Sequence, residues 1–194
     1  MEKHYLYIVL TRTNTAISRV IQFIKNDEYT HAAISLDKEL NNMYGFGRKY
    51  AHNPFWGIFR KEEINKGVYK YHKNLPGAII EVEVTKDQYE DAKNLLNEFI
   101  KNSDIYKYNY MGLIDGMLNN EVYYENRFLC SEFVYHILKE SGIVDLEISR
   151  NLVRPQNFLN INGNIIYRGN LKNIELQDNN CNIAEIKRRN LSVV

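Results

Sequence analysis

Cysteine is scarce in this chain: 194 residues contain only Cys130 and Cys181. Nothing resembles a metal-ligand cysteine pair, and no metal or organic cofactor is expected. Cys181 lies in the polar run Gln177-Asp178-Asn179-Asn180-Cys181-Asn182, which reads as a loop and offers Cys130 no evident partner. An excess of charge of one sign is also missing. The formal net charge is +1, so no long-range field points to nucleic acid or to an acidic membrane surface. Long apolar runs are absent as well. The run Tyr5-Leu6-Tyr7-Ile8-Val9-Leu10 near the start is too short for a signal-peptide core and has no small-residue cleavage site after it. No segment approaches the length of a membrane span, so no integral membrane segment is expected. A cytoplasmic location follows as the default, and there Cys130 stays a free thiol. Internal repeats, long linkers and low-complexity stretches are lacking too.

What remains has the balance of an ordinary globular protein, with 44% hydrophobic and 25% charged residues. A single domain over 1–194 is expected, with a peripheral tail after about residue 176 that ends in the basic run Lys187-Arg188-Arg189. Most of the 15 tyrosines are assigned to core and rim positions. Tyr5 to Leu10 reads as a buried strand. Thr15 can cap a helix through Ile24, with residues 17, 20, 21 and 24 on one face. Tyr29 to Leu36 reads as a strand, and Leu40 to Phe46 returns as its hairpin partner. Gly45 and Gly47 flank Phe46, where either can allow a bulge or a close approach. Asn53 to Phe59 reads as an aromatic loop. Val68 to His72 and Ala78 to Val84 read as strands, the second with clear alternation. Helices are expected over Lys86–Asn102, Tyr110–Leu118 and Leu129–Ser141, the last stopped by Gly142. Pro155 opens one more helical turn, and Ile165 to Arg168 forms a last strand. Strands and helices without strict alternation predict an α+β fold.

Two short pieces carry the chemistry. Phe128-Leu129-Cys130-Ser131-Glu132-Phe133-Val134 puts a cysteine at the opening of an amphipathic helix, where the helix dipole favours a thiolate. Tyr29-Thr30-His31-Ala32-Ala33-Ile34 puts a histidine at the mouth of an apolar strand, where it can serve as general base and acid. The two lie 99 positions apart, so only folding can join them. A small buried core cysteine is the competing reading of Cys130. His136 is excluded as partner: six residues on is about 600° around a helix, well away from Cys130. Glu132 is read as a first-turn acid that complements the helix dipole.

Together with Tyr108-Asn109-Tyr110, and with the histidine strand preceding the cysteine helix, these pieces resemble the circularly permuted branch of the NlpC/P60 papain-like superfamily. The closest likeness is to the YiiX/YaeF-type permuted amidases. The resemblance implies a papain-like core in which an antiparallel sheet packs against the cysteine-bearing helix. It implies Cys130 as nucleophile, His31 as base, and a polar residue on the strand after the histidine strand to orient the imidazole. That strand departs from the pattern: Leu40 to Phe46 holds no Glu, His or Gln, which leaves Tyr44 as the orienting candidate and Asn42 as the next. Tyr108 is expected to line the cleft, and Trp56 to wall it.

The expected activity is a cysteine-dependent hydrolase or acyltransferase acting on an amide or ester through a thioester. The partners implied are small-molecule, peptide-like, cell-wall-derived or lipid acyl substrates. The missing orienting residue favours an alternative, a non-catalytic small-molecule or peptide binding module on the same fold. A third reading, a partner-binding protein, rests only on the basic tail.

Overall fold

The computed structural model describes residues 3–12, 27–50 and 53–174. Six strands form one antiparallel sheet: β1 (His4–Thr11), β2 (His31–Ser35), β3 (Met43–Tyr50), β4 (Asn53–Glu62), β5 (Pro76–Val84) and β8 (Asn164–Asn170), in the order β4-β3-β2-β1-β5-β8. Two short strands, β6 (Lys107–Tyr108) and β7 (Arg127–Phe128), pair in parallel beside it. Among the described residues the α-helices are α1 (Lys86–Lys101), α2 (Tyr110–Met117) and α3 (Cys130–Glu140). The architecture is α+β with a six-stranded antiparallel sheet.

The centre of the sheet follows from hydrophobicity on both faces. In β1, Leu6, Ile8 and Leu10 enter the main core while Tyr7 and Val9 enter a second cluster, so a continuous apolar run is needed there. In β5, Ile80, Val82 and Val84 face the main core, and the glutamates between them face outward. The main core is closed by α1, through Ala92, Leu96 and Phe99, and by α3, through Phe133, Val134, Ile137 and Leu138. Thr85 starts α1 with a full capping box, its hydroxyl accepting from the Gln88 N–H at 3.2 Å and the Gln88 side chain accepting from the Thr85 N–H at 3.0 Å. Five phenylalanines, at 46, 59, 99, 128 and 133, stack edge and face behind α3. The second cluster lies under a 3-10 turn over Gly67–Tyr71, which contributes Tyr69 to Leu40, Met43 and Leu75.

Two local readings are corrected. Asn53 to Phe59 is not a loop but the first part of β4, paired residue for residue with β3 from Gly57↔Arg48 to Glu62↔Met43. Cross-strand pairing there overrides the turn-forming Asn-Pro and Gly. Val68 to His72 is not a strand. Gly67 adopts φ +57°, which turns the chain into the 3-10 geometry instead. The expected helix over 15–24 and the tail with Cys181 and Lys187-Arg188-Arg189 lie outside the described residues. Among the described residues no helix is long and apolar enough to cross a membrane.

Candidate active site

Cys130 is the first residue of α3, a free and buried thiol. The turn that presents it is tightly fixed. Leu129, the N-cap, is extended at φ −81° and ψ 169°, and its N–H donates to the Glu132 carboxylate at 2.8 Å. The Asn109 side-chain amide donates to both Glu132 oxygens at 3.0 and 3.1 Å. The Asn109 carbonyl oxygen accepts from the Gly112 N–H at 2.9 Å and so caps α2. One buried asparagine therefore joins the starts of two helices. Burial pushes the Glu132 carboxyl up, and the Leu129 N–H, Asn109 and Arg150 offset part of that. The oxygens of Glu132 are thus held by the N-cap and by Asn109.

His31 opens β2, directly opposite Thr11 at the end of β1. The Cys130 sulfur is close enough to its ring to act on the charge of the imidazole. His31 Nε2 stands 3.0 Å from Glu62 Oε2, with the two side chains only 12% and 4% exposed. Glu62 thus holds one ring nitrogen of His31, and the Cys130 sulfur acts on the same ring. The Tyr69 hydroxyl donates to the same Glu62 oxygen at 2.8 Å.

The electrostatics are those of a closed charge cluster. Burial alone would push the His31 imidazole down, but the Glu62 carboxylate and the Cys130 sulfur outweigh it and raise the value to about 10. Burial would raise the Glu62 carboxyl, but the facing His31, the Tyr69 hydroxyl and Arg60 hold it below the ordinary range.

Glu62 is the residue that sequence reasoning missed. It sits on β4, two strands from His31, and crosses β3 to reach the ring. Gly45 and Gly47 make the crossing possible: a Cβ on Gly47 would lie 2.6 Å from Glu62 Oε1, and one on Gly45 3.1 Å. The signal was present in the sequence. Two glycines at period two leave one face of a strand bare, and a side chain from a neighbouring strand can lie there.

Tyr44, the expected orienting residue, lies on the other face of β3 from the two glycines. It alternates with the two glycines on β3, packs against the main core, and stacks on Phe59 at 5.9 Å and 9°. Asn42, the next candidate, is an exposed turn residue whose N–H donates to Asp37 at 2.7 Å. His136 packs against Phe99 and Phe128 at 5.8 and 5.3 Å, within the aromatic cluster. Tyr108 pairs with Phe128, two residues before Cys130. Its ring lies against Gly57, where a Cβ would meet it at 2.1 Å. Tyr106, Tyr108, Tyr110, Lys107 and Arg127 line a groove of about 570 Å³ along the outer edge of β4. Trp56 belongs to β4, but its side chain lies outside the described residues. Among the described residues no group of three His, Cys, Asp or Glu side chains could hold a metal ion.

Compared with known proteins, the chain matches no family model, no curated protein and no solved structure. The reading of this site therefore rests on its geometry.

Proposed function

We propose that the protein is a cysteine-dependent hydrolase or acyltransferase of the permuted papain-like kind, similar to the NlpC/P60 amidases, with Cys130 as nucleophile, His31 as base and acid, and Glu62 as orienting residue. One observation carries this reading: His31 Nε2 stands 3.0 Å from the Glu62 carboxylate, with the Cys130 sulfur near enough to the same ring to act on its charge. A nucleophile, a base and a third group that orients the base are the parts covalent acyl transfer requires.

The chemistry follows from those positions. The Cys130 sulfur, as thiolate, attacks the carbonyl carbon of an amide or ester, and the carbonyl electron pair moves onto oxygen. The Cys130 N–H, at the first position of α3, points out of the helix start as a donor to that oxyanion. As the pair returns, the bond to the leaving amine or alcohol breaks, and His31 supplies its proton. A thioester remains on Cys130. Water or an acceptor amine then gives a proton to His31, attacks the thioester, and releases Cys130. Glu62 keeps the imidazole in one orientation and stabilises its protonated form throughout.

The non-catalytic alternative drew its support from the lack of an orienting group on β3. Glu62 provides a group of that kind from β4, which removes that support. The tyrosine-rich groove along β4, with Tyr108 on its wall, has none of Cys130, His31 and Glu62 in its lining. The acyl group and the acceptor are open choices within the amide and ester class.

The test is acylation by an activated ester such as p-nitrophenyl acetate, with the adduct located by mass spectrometry. A thioester on Cys130 is expected, formed faster than on a free thiol at the same pH, lost in Cys130→Ala and slowed in His31→Ala. An unmodified Cys130, or a rate indifferent to His31→Ala, would overturn the reading.

A further inference from the structure

Glu62 has a second donor besides the imidazole. The Tyr69 hydroxyl lies 2.8 Å from Oε2, the same oxygen that faces His31 Nε2 at 3.0 Å. Tyr69 is 3% exposed and is anchored among Leu40, Met43 and Leu75. Its ring meets the His31 ring edge-on, 6.3 Å between centroids at 63°. The turn that carries it follows β4 directly, so Glu62 and Tyr69 are only seven residues apart. Thr11, the cross-strand partner of His31, places its hydroxyl beside that of Tyr69. The Thr11 oxygen is buried and has no hydrogen bond of normal geometry among the described residues.

We infer that Tyr69 is a positioning residue for this site, acting through Glu62 on His31. This rests on the Cys130–His31–Glu62 reading above. A carboxylate on a flexible side chain, buried with one donor, can rotate about its last bond and lose the imidazole. The Tyr69 hydroxyl pins Oε2 from a second direction, while Oε1 lies against the bare strand at Gly45 and Gly47. The carboxylate has one resting plane. The second donor also favours the ionised form of a buried acid, and an ionised Glu62 in turn favours imidazolium at His31. The titratable and charged groups facing this pair among the described residues are Cys130 from α3, Tyr69 from the 3-10 turn and Arg60 from β4. Of these, the Tyr69 hydroxyl donates to the same Glu62 oxygen that faces His31. The Tyr69 hydroxyl reaches His31 through Glu62, so its role is orientation.

The test uses the full chain with ¹⁵N-labelled histidine. The His31 titration midpoint is read by NMR, and Cys130 acylation by p-nitrophenyl acetate is measured in parallel. In Tyr69→Phe the His31 midpoint is expected to fall by about one pH unit or more, and acylation by about 10-fold. A tyrosine that served only packing would move neither, because phenylalanine keeps the ring. In the unaltered protein the Tyr69 hydroxyl proton is expected as a downfield, slowly exchanging resonance that disappears in Glu62→Gln. This second measurement holds even if Tyr69→Phe folds poorly. The inference is overturned if Glu62→Gln shifts the midpoint and the rate while Tyr69→Phe shifts neither, or if the Tyr69 hydroxyl proton exchanges as fast as an exposed phenol. If His31→Ala and Glu62→Gln both leave acylation unchanged, the underlying triad reading fails, and this inference fails with it.

Discussion

Substituting Gly47 with alanine tests the route by which Glu62 reaches His31. The new Cβ would stand 2.6 Å from Glu62 Oε1, whereas ordinary contact begins at 3.4 Å. The carboxylate must therefore retreat by about 0.8 Å, and the His31–Glu62 contact, now 3.0 Å, is carried to or beyond the limit of a hydrogen bond. A hydrogen bond to a charged group contributes about 1.5–3 kcal/mol, which corresponds to about a 10- to 150-fold slower acylation of Cys130. Crowding costs about 1–3 kcal/mol in stability as well. Gly45→Ala is the graded control: its Cβ would lie 3.1 Å from the same oxygen, so both losses should be smaller. The assay is the acylation rate with p-nitrophenyl acetate beside a urea unfolding curve for each variant. A Gly47→Ala protein that acylates at the wild-type rate would show that Glu62 does not orient the imidazole across β3.

Two further outcomes follow from the same site. His31 is raised to about 10 in the folded protein, against about 6.5 in an unfolded chain. Its contribution to stability is therefore complete below about pH 6.5 and is lost as pH rises toward 10. Unfolding free energies measured across that window should decline, and Glu62→Gln should flatten the decline; an equal slope in both proteins would refute the coupling. Asn109→Ala removes the amide that serves both Glu132 oxygens and the cap of α2. A loss of about 1–3 kcal/mol by chemical denaturation is expected, together with slower labelling of Cys130, and wild-type stability would show that Asn109 is dispensable.

Much of the framework was legible in the chain because it depends on local pattern. The apolar run of β1, the alternation of β5 and the 3.6-residue stripe of α3 each follow from a residue type repeating at a short period. Cys130 could be placed at a helix start from Leu129, Phe133 and Val134, and His31 at a strand start from Ala32, Ala33 and Ile34. The β4 strand was hidden because Asn53, Pro54 and Gly57 argue for a loop on their own, and only pairing with β3 reverses that. The turn over Gly67–Tyr71 was hidden for a similar reason, since Val68, Tyr69 and Tyr71 have strand-like side chains, but the backbone at Gly67 has positive φ.

The division between sequence and tertiary structure is sharpest at the third member of the site. Local pattern determined an α+β chain with a thiol at a helix mouth and an imidazole at a strand mouth, because both placements are set by neighbours within a few residues. The approach of the two across 99 positions, and the contact of His31 with Glu62 where Tyr44 was expected, were decided by the tertiary structure. Strand alternation sends Tyr44 into the main core, and the bare face at Gly45 and Gly47 lets a carboxylate from the next strand lie over β3. Distance along the chain carries no information about such a contact; only strand order, register and the absence of two Cβ atoms create it.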